Sequence, residues 1–236
     1  MNETIDLMKK HVSVRNFTDE KIPADVLKEI IEAGQAASTW KNFQSYSIVL
    51  VQSDEQKQAL FDVQAQKSIL GCSAFLVMAG DLNRAQKAVN MYQEEFHPEG
   101  VENLLISSVD AALAGQNILL AAESLGYSGV MVGLIREKSK EFSQVLGLPD
   151  YTYPVFGIAL GKASRVNEVK PRLPYEVVVS DEKYQENTKA DIEAYDQVQD
   201  EYSNHRFNKW SERIVEQWGK PEDSATLENL KDKKLM

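Results

Sequence analysis

The stretch VENLLISSVDAALAGQNILLAAESL, residues 101–125, decides how the rest of this 236-residue chain is read. Apolar residues recur through it at helical spacing. Leu104, Leu105, Val109, Ala112, Leu113, Leu119 and Leu120 are spread around most of the circumference, with Gln116 and Glu123 among them. No face is left cleanly polar. Such a helix must be covered on most sides, so it is either the central helix of a core or a helix at a subunit interface. Gly126 follows it, where a helix C-cap places glycine. Asp110 and Glu123 on so apolar a helix are expected to pair across a subunit interface or to reach its rim.

Working outward, Gly129 to Ile135 and Tyr153 to Leu160 read as strands with an amphipathic helix between them. Upstream, Ala74 to Gly80 reads as a buried strand and Tyr46 to Val51 as another. Residues 3–10 form a short helix, and Asp54 to Phe61 a helix with an acidic first turn. Pro23 opens a further helix, with Val26, Leu27, Ile30, Ile31 and Ala33 on its apolar face. Strands alternate with helices, but the tail is all helix, which gives an α+β fold with a central sheet.

Twenty-six Lys and Arg stand against 36 Asp and Glu, a net charge of −10. Phosphate binding along a nucleic acid needs clustered cations, so no nucleic-acid partner is expected. The longest unbroken apolar run, Ala74 to Ala79, is too short to cross a bilayer, and MNETIDLMKK lacks the apolar core of a signal peptide. The expectation is a cytoplasmic protein with no membrane partner. The single cysteine, Cys72, excludes an internal disulfide framework and a multi-cysteine zinc site, and it reads as a small buried side chain.

The glycine spacing holds no G-x-G-x-x-G and no Walker A loop. Neither H-E-x-x-H nor G-x-S-x-G occurs. His11, His97 and His205 have no metal-ligand spacing. A dinucleotide-binding Rossmann domain, a P-loop enzyme, a zinc hydrolase and an α/β-hydrolase are thereby set aside, and no metal site is expected. Catalysis by this chain calls for an organic cofactor.

Charged residues make up about a fifth of residues 1–179 and about two-fifths of 180–236. The tail nevertheless carries apolar stripes. Trp210, Ile214 and Trp218 recur at i, i+4 and i+8, and Ile192, Tyr195 and Tyr202 mark a helix before them. It is expected to fold by docking on its own core or on a partner subunit.

Four clusters could carry chemistry. His11, Ser13 and Arg15 alternate with Val12 and Val14, which puts three polar groups along one side of an extended segment. That suits an anionic ligand rich in oxygen acceptors, and equally a solvent-facing edge over buried valines. Lys170-Pro171-Arg172-Leu173-Pro174 places two cations on one side of a proline-stiffened strand, fit for phosphate or carboxylate; a loop with scattered charges has the same sequence. Gly126 to Leu134 lets backbone N–H groups approach a flat ligand, or is a helix cap and a core strand. Residues 37–44, ASTWKNFQ, mix hydroxyl groups with aromatics on a loop, as a pocket wall or as a capped turn.

Read together, H-x-S-x-R-x-F at 11–17, S-T-x-x-N-x-Q at 38–44, the glycine strand at 126–134 and K-P-R-L-P at 170–174 resemble the nitroreductase and flavin reductase family, in particular its NADPH-preferring subgroup. The resemblance implies a mostly antiparallel central sheet flanked by helices, in an intertwined homodimer with FMN at the interface. Residues 1–179 would form the FMN-binding core. Residues 180–236 would be a helical excursion of the same domain that wraps the partner. By position, His11, Lys170 and Arg172 would meet the FMN phosphate, and Ser13 and Arg15 the ribityl and pyrimidine side. Ser38, Thr39 and Gln44 would lie against the ring, partly from the opposite subunit. Gln66 and Lys67 would follow the pyrimidine edge, and Val132 and Gly133 would set backbone against the ring. In the stretch Asn204 to Lys209, shortened relative to the family, Arg206 would hold the NADPH phosphate, with Lys209 or Arg213 as substitutes. Val12 replaces an arginine common in the subgroup, and Leu134 a glycine.

The implied reaction is ping-pong: hydride passes from NADPH, or NADH, through FMN N5 to a nitroaromatic, a quinone or free flavin. No catalytic side chain is required, and Arg15 acts electrostatically on the reduced flavin. The alternative on the same fold is a non-catalytic FMN-binding protein that senses redox state or regulates.

Overall fold

The computed structural model describes every residue except Met1, Phe207, Glu222 and Asp223. In chain order the elements are α1 (Glu3–Lys9), α2 (Ala24–Gln35), β1 (Tyr46–Val51), α3 (Asp54–Val63), α4 (Lys67–Gly71), β2 (Ala74–Asp81), α5 (Asn83–Val89), α6 (Val101–Ser124), β3 (Ser128–Val132), α7 (Ser139–Val145), β4 (Thr152–Gly161), α8 (Tyr175–Val178), α9 (Lys189–Ser203), α10 (Trp210–Trp218) and α11 (Ala225–Asp232).

The strands form a sheet in the order β1-β2-β4-β3, with every neighbouring pair antiparallel. The run Ala74–Asp81 is buried throughout because β2 is paired on both sides and covered on both faces. Side chains alternate between the faces. Leu76, Met78, Ile158 and Leu160 meet Leu27 and Ile30 of α2 and Ala114, Ile118 and Ala122 of α6. Phe75, Val77, Val130 and Ala159 face the other way, onto Leu60, Ile69, Ile135 and Phe142.

α6 is long and apolar enough to cross a membrane by length and composition alone. Here it is the core helix, with Ala111, Ala114, Ile118 and Ala122 fully buried. It ends as Gly126 predicts: Gly126 takes φ +78°, its N–H donates to the Glu123 carbonyl at 3.1 Å, and Tyr127 N–H reaches Ala122 at 3.0 Å. The stripe Val101, Leu105, Val109 and Leu113 is left exposed in the single chain.

One strand differs from its sequence reading. β3 stops at Val132, and Gly133–Lys138 forms a 3-10 turn instead of strand to Ile135. Ile135 turns inward to be fully buried beneath the sheet. The Arg136 guanidinium donates to the Val155 carbonyl at 2.7 Å, an acceptor lying just beyond the Val132–Gly157 pair that ends the ladder.

The chain divides into two compact units, residues 1–167 with 224–236, and residues 168–223. α11 belongs to the first: its Asn229 Nδ2 donates to Ser139 Oγ and Ser143 Oγ at 3.0 and 3.2 Å, and Leu230 and Leu235 pack with Leu82 and Tyr153. In the second, Thr188 and Asp191 cap α9 reciprocally. The Tyr195 ring stands edge-on to Trp210 at 5.4 Å, and Asp196 caps α10 by accepting from Ser211 N at 2.9 Å and Ser211 Oγ at 2.6 Å.

Candidate functional site

His11 to Arg15 leaves α1 in extended form and runs beside β3, where Val14 N–H donates to the Gly129 carbonyl at 2.9 Å. Val14 is buried, and that anchors the alternation read from sequence. The His11 Nδ1 lies 2.6 Å from Glu123 Oε1 of α6. Glu123 thus has a partner within its own chain, to which the sequence does not point. An acidic group in the last turn of a helix opposes the helix dipole, and the contact with His11 offsets that. The side chains of Ser13 and Arg15 have no hydrogen-bond or ion-pair partner among the described residues, and Arg15 is exposed.

Gly129 and Gly133 differ in kind. A Cβ at Gly129 would lie 2.7 Å from the Ala159 carbonyl oxygen, so packing alone demands glycine there. At Gly133 it would meet only the far end of the Arg136 side chain, at 3.3 Å, so close approach of something else remains a sufficient reason for that glycine. Gln66 precedes α4 and Lys67 is its first residue. The Gln64 amide lies 3.5 Å from Glu137, which sets this segment beside the turn after Gly133. The β3 edge therefore gathers residues 11–15, 64–67 and 132–133.

Ser38, Thr39 and Gln44 lie elsewhere, on the loop from α2 into β1. β1 is the opposite edge strand, three strand spacings, or about 14 Å, from β3. The loop is tightly wound. Lys41, Asn42 and Gln44 all take positive φ, at 48°, 61° and 54°. Thr39 Oγ1 accepts from Gln44 N at 3.3 Å, and Gln44 Nε2 donates to the Asn42 carbonyl at 3.2 Å. Trp40 and Phe43 are exposed at the tip. A cavity of about 890 Å³ opens beside it, lined by Phe43, Gln44, Tyr46, Arg84 and Phe96 among others. Arg84 fastens the loop exit, donating to the Gln44 carbonyl at 2.9 Å and to the Tyr46 carbonyl.

Asp110 also departs from expectation. It is 1% exposed and points inward, where Oδ1 accepts from Trp40 N at 2.9 Å and Oδ2 from Ser45 N at 3.0 Å. The sequence signal for this was available: an aspartate in the middle of an apolar helix needs partners. Its partners are backbone groups, to which no sequence pattern points.

In the second unit, Lys170 and Arg172 are exposed, and the Arg172 guanidinium donates to the Lys170 carbonyl at 3.0 Å. Tyr195 and Tyr202 of α9 hold this strap by its backbone, donating to the Pro171 and Glu168 carbonyls at 2.9 and 3.0 Å. Arg206 and Lys209 are exposed between α9 and α10; Phe207 between them lies outside the described residues. Beside them His205 Nδ1 sits 2.6 Å from Asp200. Among the described residues no cluster of His, Cys, Asp and Glu could hold a metal ion.

Residues 8–162 match the model of the nitroreductase family, and residues 170–236 match that of the family's C-terminal domain. The chain belongs to the nitroreductase family. A curated relative, an NADPH-dependent oxidoreductase of Staphylococcus epidermidis, is 34% identical, covering 96% of this chain and 95% of its own. Among solved structures, nitroreductase A of Vibrio parahaemolyticus superposes with a TM-score of 0.93 at 35% identity, covering 100% of this chain and 98% of that one. An NADPH:FMN oxidoreductase of Vibrio harveyi, complexed with NAD+, gives 0.90 at 34% identity over 99% of both chains. The nitroreductase fold is thus established over the whole chain, tail included.

Proposed function

We propose that the chain is an FMN-dependent oxidoreductase that draws on NADPH and passes hydride in a ping-pong cycle to nitroaromatics, quinones or free flavin. NADPH-dependent oxidoreductase is the class its relatives carry; the flavin, the acceptors and the residue roles are our reading. The observation that carries it is the uncommitted polar set on the β3 edge. Ser13 and Arg15 are unpartnered among the described residues, beside a half-buried histidine already oriented through Nδ1. Such donors suit a flat group bearing a phosphate and many oxygens. Bound FMN supplies a two-electron relay between donor and acceptor.

The chain's own residues bind and bias that relay. Arg15 would set positive charge against the pyrimidine side, where negative charge collects on reduction. Ser13 would hold the ribityl chain, His11 with Lys170 and Arg172 the phosphate, and Gln66, Lys67 and the Val132–Gly133 backbone the ring. Arg206 and Lys209 would take the NADPH phosphate. A homodimer belongs to the reading. Ser38, Thr39 and Gln44 sit at the sheet edge opposite the 11–15 segment, so one flavin would draw on two chains. The exposed α6 stripe, and Val215 and Trp218 exposed on α10, supply apolar surface for such a partner. A cytoplasmic location completes the proposal.

Arg15→Ala tests it. The variant should keep part of its FMN, lower the flavin midpoint potential by tens of millivolts (about 30 mV for each 1.4 kcal/mol of lost charge stabilisation) and slow reduction by NADPH. An unchanged potential and rate would remove Arg15 from this role.

A further inference from the structure

We propose that Asp110 is a positioning residue that holds the flavin-contact loop, residues 39–45, in a strained conformation it would not keep alone; this rests on the flavin reading above. The loop combines two features that do not belong together in a free segment. Lys41, Asn42 and Gln44 occupy the left-handed region, which disfavours a residue with a Cβ; asparagine tolerates it best, lysine and glutamine poorly. The side chains from Lys41 to Gln44 are exposed, so burial does not compensate the strain. Backbone strain of this kind persists only where the surroundings over-determine it.

Asp110 is the over-determining group. It comes from the rigid middle of α6, it is buried, and its two oxygens take the N–H groups of Trp40 and Ser45, the two ends of the strained turn. No cation lies within ion-pairing distance of it among the described residues, so its hydrogen-bonding capacity is spent on the loop. With both ends fixed to one carboxyl group, the span between them is set. The turn inside then has to bulge, and it carries Trp40 and Phe43 outward. Thr39 precedes the first fixed point directly, and Gln44 the second. The residues assigned to the flavin ring thus receive their positions from a group that touches no flavin itself.

Asp110→Asn replaces one acceptor with an amide whose N–H groups oppose a backbone N–H. One bond is lost and a donor left unpaired, so the loop can relax. The dissociation constant for FMN, read by flavin fluorescence quenching on the full-length protein, should rise about tenfold. Riboflavin affinity should fall by the same factor, since the loop is assigned to the ring and not to the phosphate. Lys41→Gly removes strain at one left-handed position. Alone it should leave FMN affinity within about twofold, and in the Asp110→Asn background it should recover at least part of the loss. A residue that merely supports the core would show no such rescue.

If Asp110→Asn does not fold, amide hydrogen exchange on the parent decides: Trp40 N–H should exchange slowly although Trp40 is half exposed, and rapid exchange there overturns the clamp. A folded Asp110→Asn with parental FMN affinity, or a loss that Lys41→Gly leaves untouched, also overturns it. A parent protein that takes up no FMN defeats the flavin reading, and this inference with it. A parent that binds FMN and ignores Asp110→Asn defeats the inference alone.

Discussion

Cys72 sits at the entrance to β2, 1% exposed, with its thiol donating to the Ile69 carbonyl at 3.2 Å. Burial pushes the thiol up to about 11, against a partial counter-effect from the Lys57 ammonium. Lys57 is itself buried, donating to the Cys72 and Ser73 carbonyls at 2.6 and 3.3 Å. The consequence for stability has a definite sign. The folded thiol binds its proton more tightly than the unfolded one, which titrates near its ordinary value of 9.0. Stability from this group is intact below pH 9 and is lost as pH rises through about 11. Such a shift corresponds to roughly 3 kcal/mol. Urea unfolding should therefore show a drop in stability from pH 8 to pH 11 that is smaller in Cys72→Ala, by up to that amount; equal drops would mean the thiol is not the group responsible. The thiol's burial could be read in sequence, since a small residue after glycine at a strand entrance is ordinary core. The partners of Asp110 and Glu123 could not. Their charges were visible, but their hydrogen bonds reach 65 to 112 residues along the chain, and only the packed fold brings those groups within reach.

At the scale of elements, α6 presents two different faces. Its buried alanines and isoleucine close one face of the sheet, while Val101, Leu105, Val109 and Leu113 keep 62, 55, 52 and 44% of their surface. Apolar area at that spacing is what a second copy would cover. Leu105→Glu with Val109→Glu should give a folded chain, because exposed positions tolerate substitution within about 0.5 kcal/mol. On the proposed homodimer, it should run in sedimentation at half the parental mass. A variant still dimeric would put the interface elsewhere. The same helix shows why the fold could be read. Its length, its all-round apolar pattern and its terminal glycine are local properties, as are the alternation and burial of β1, β2 and β4. β3 read too long because Gly129 to Ile135 is apolar throughout. Whether such a run stays extended depends on which groups of β4 are free to pair, and the Val155 carbonyl beyond the ladder is taken by Arg136, which is not written in β3.

At the scale of the whole chain, the motifs assigned to FMN and NADPH fall into three sets: the β3 edge, the β1 loop, and the strap and tail of the second unit. Sequence supplied the residue types and a family resemblance, and the family is confirmed across residues 8–162 and 170–236. It did not reveal that the first two sets lie at opposite edges of one sheet, because strand order is a property of topology and not of any segment. The reading that joins them is a shared flavin between two copies, reduced by NADPH. The most direct test is the visible absorption spectrum of the purified full-length protein, before and after NADPH under anaerobic conditions. The account expects flavin bands that bleach on addition of NADPH and return when a nitrofuran or a quinone is added. Flavin bands that neither NADPH nor NADH bleaches, or a colourless protein that takes up no added FMN, would contradict it.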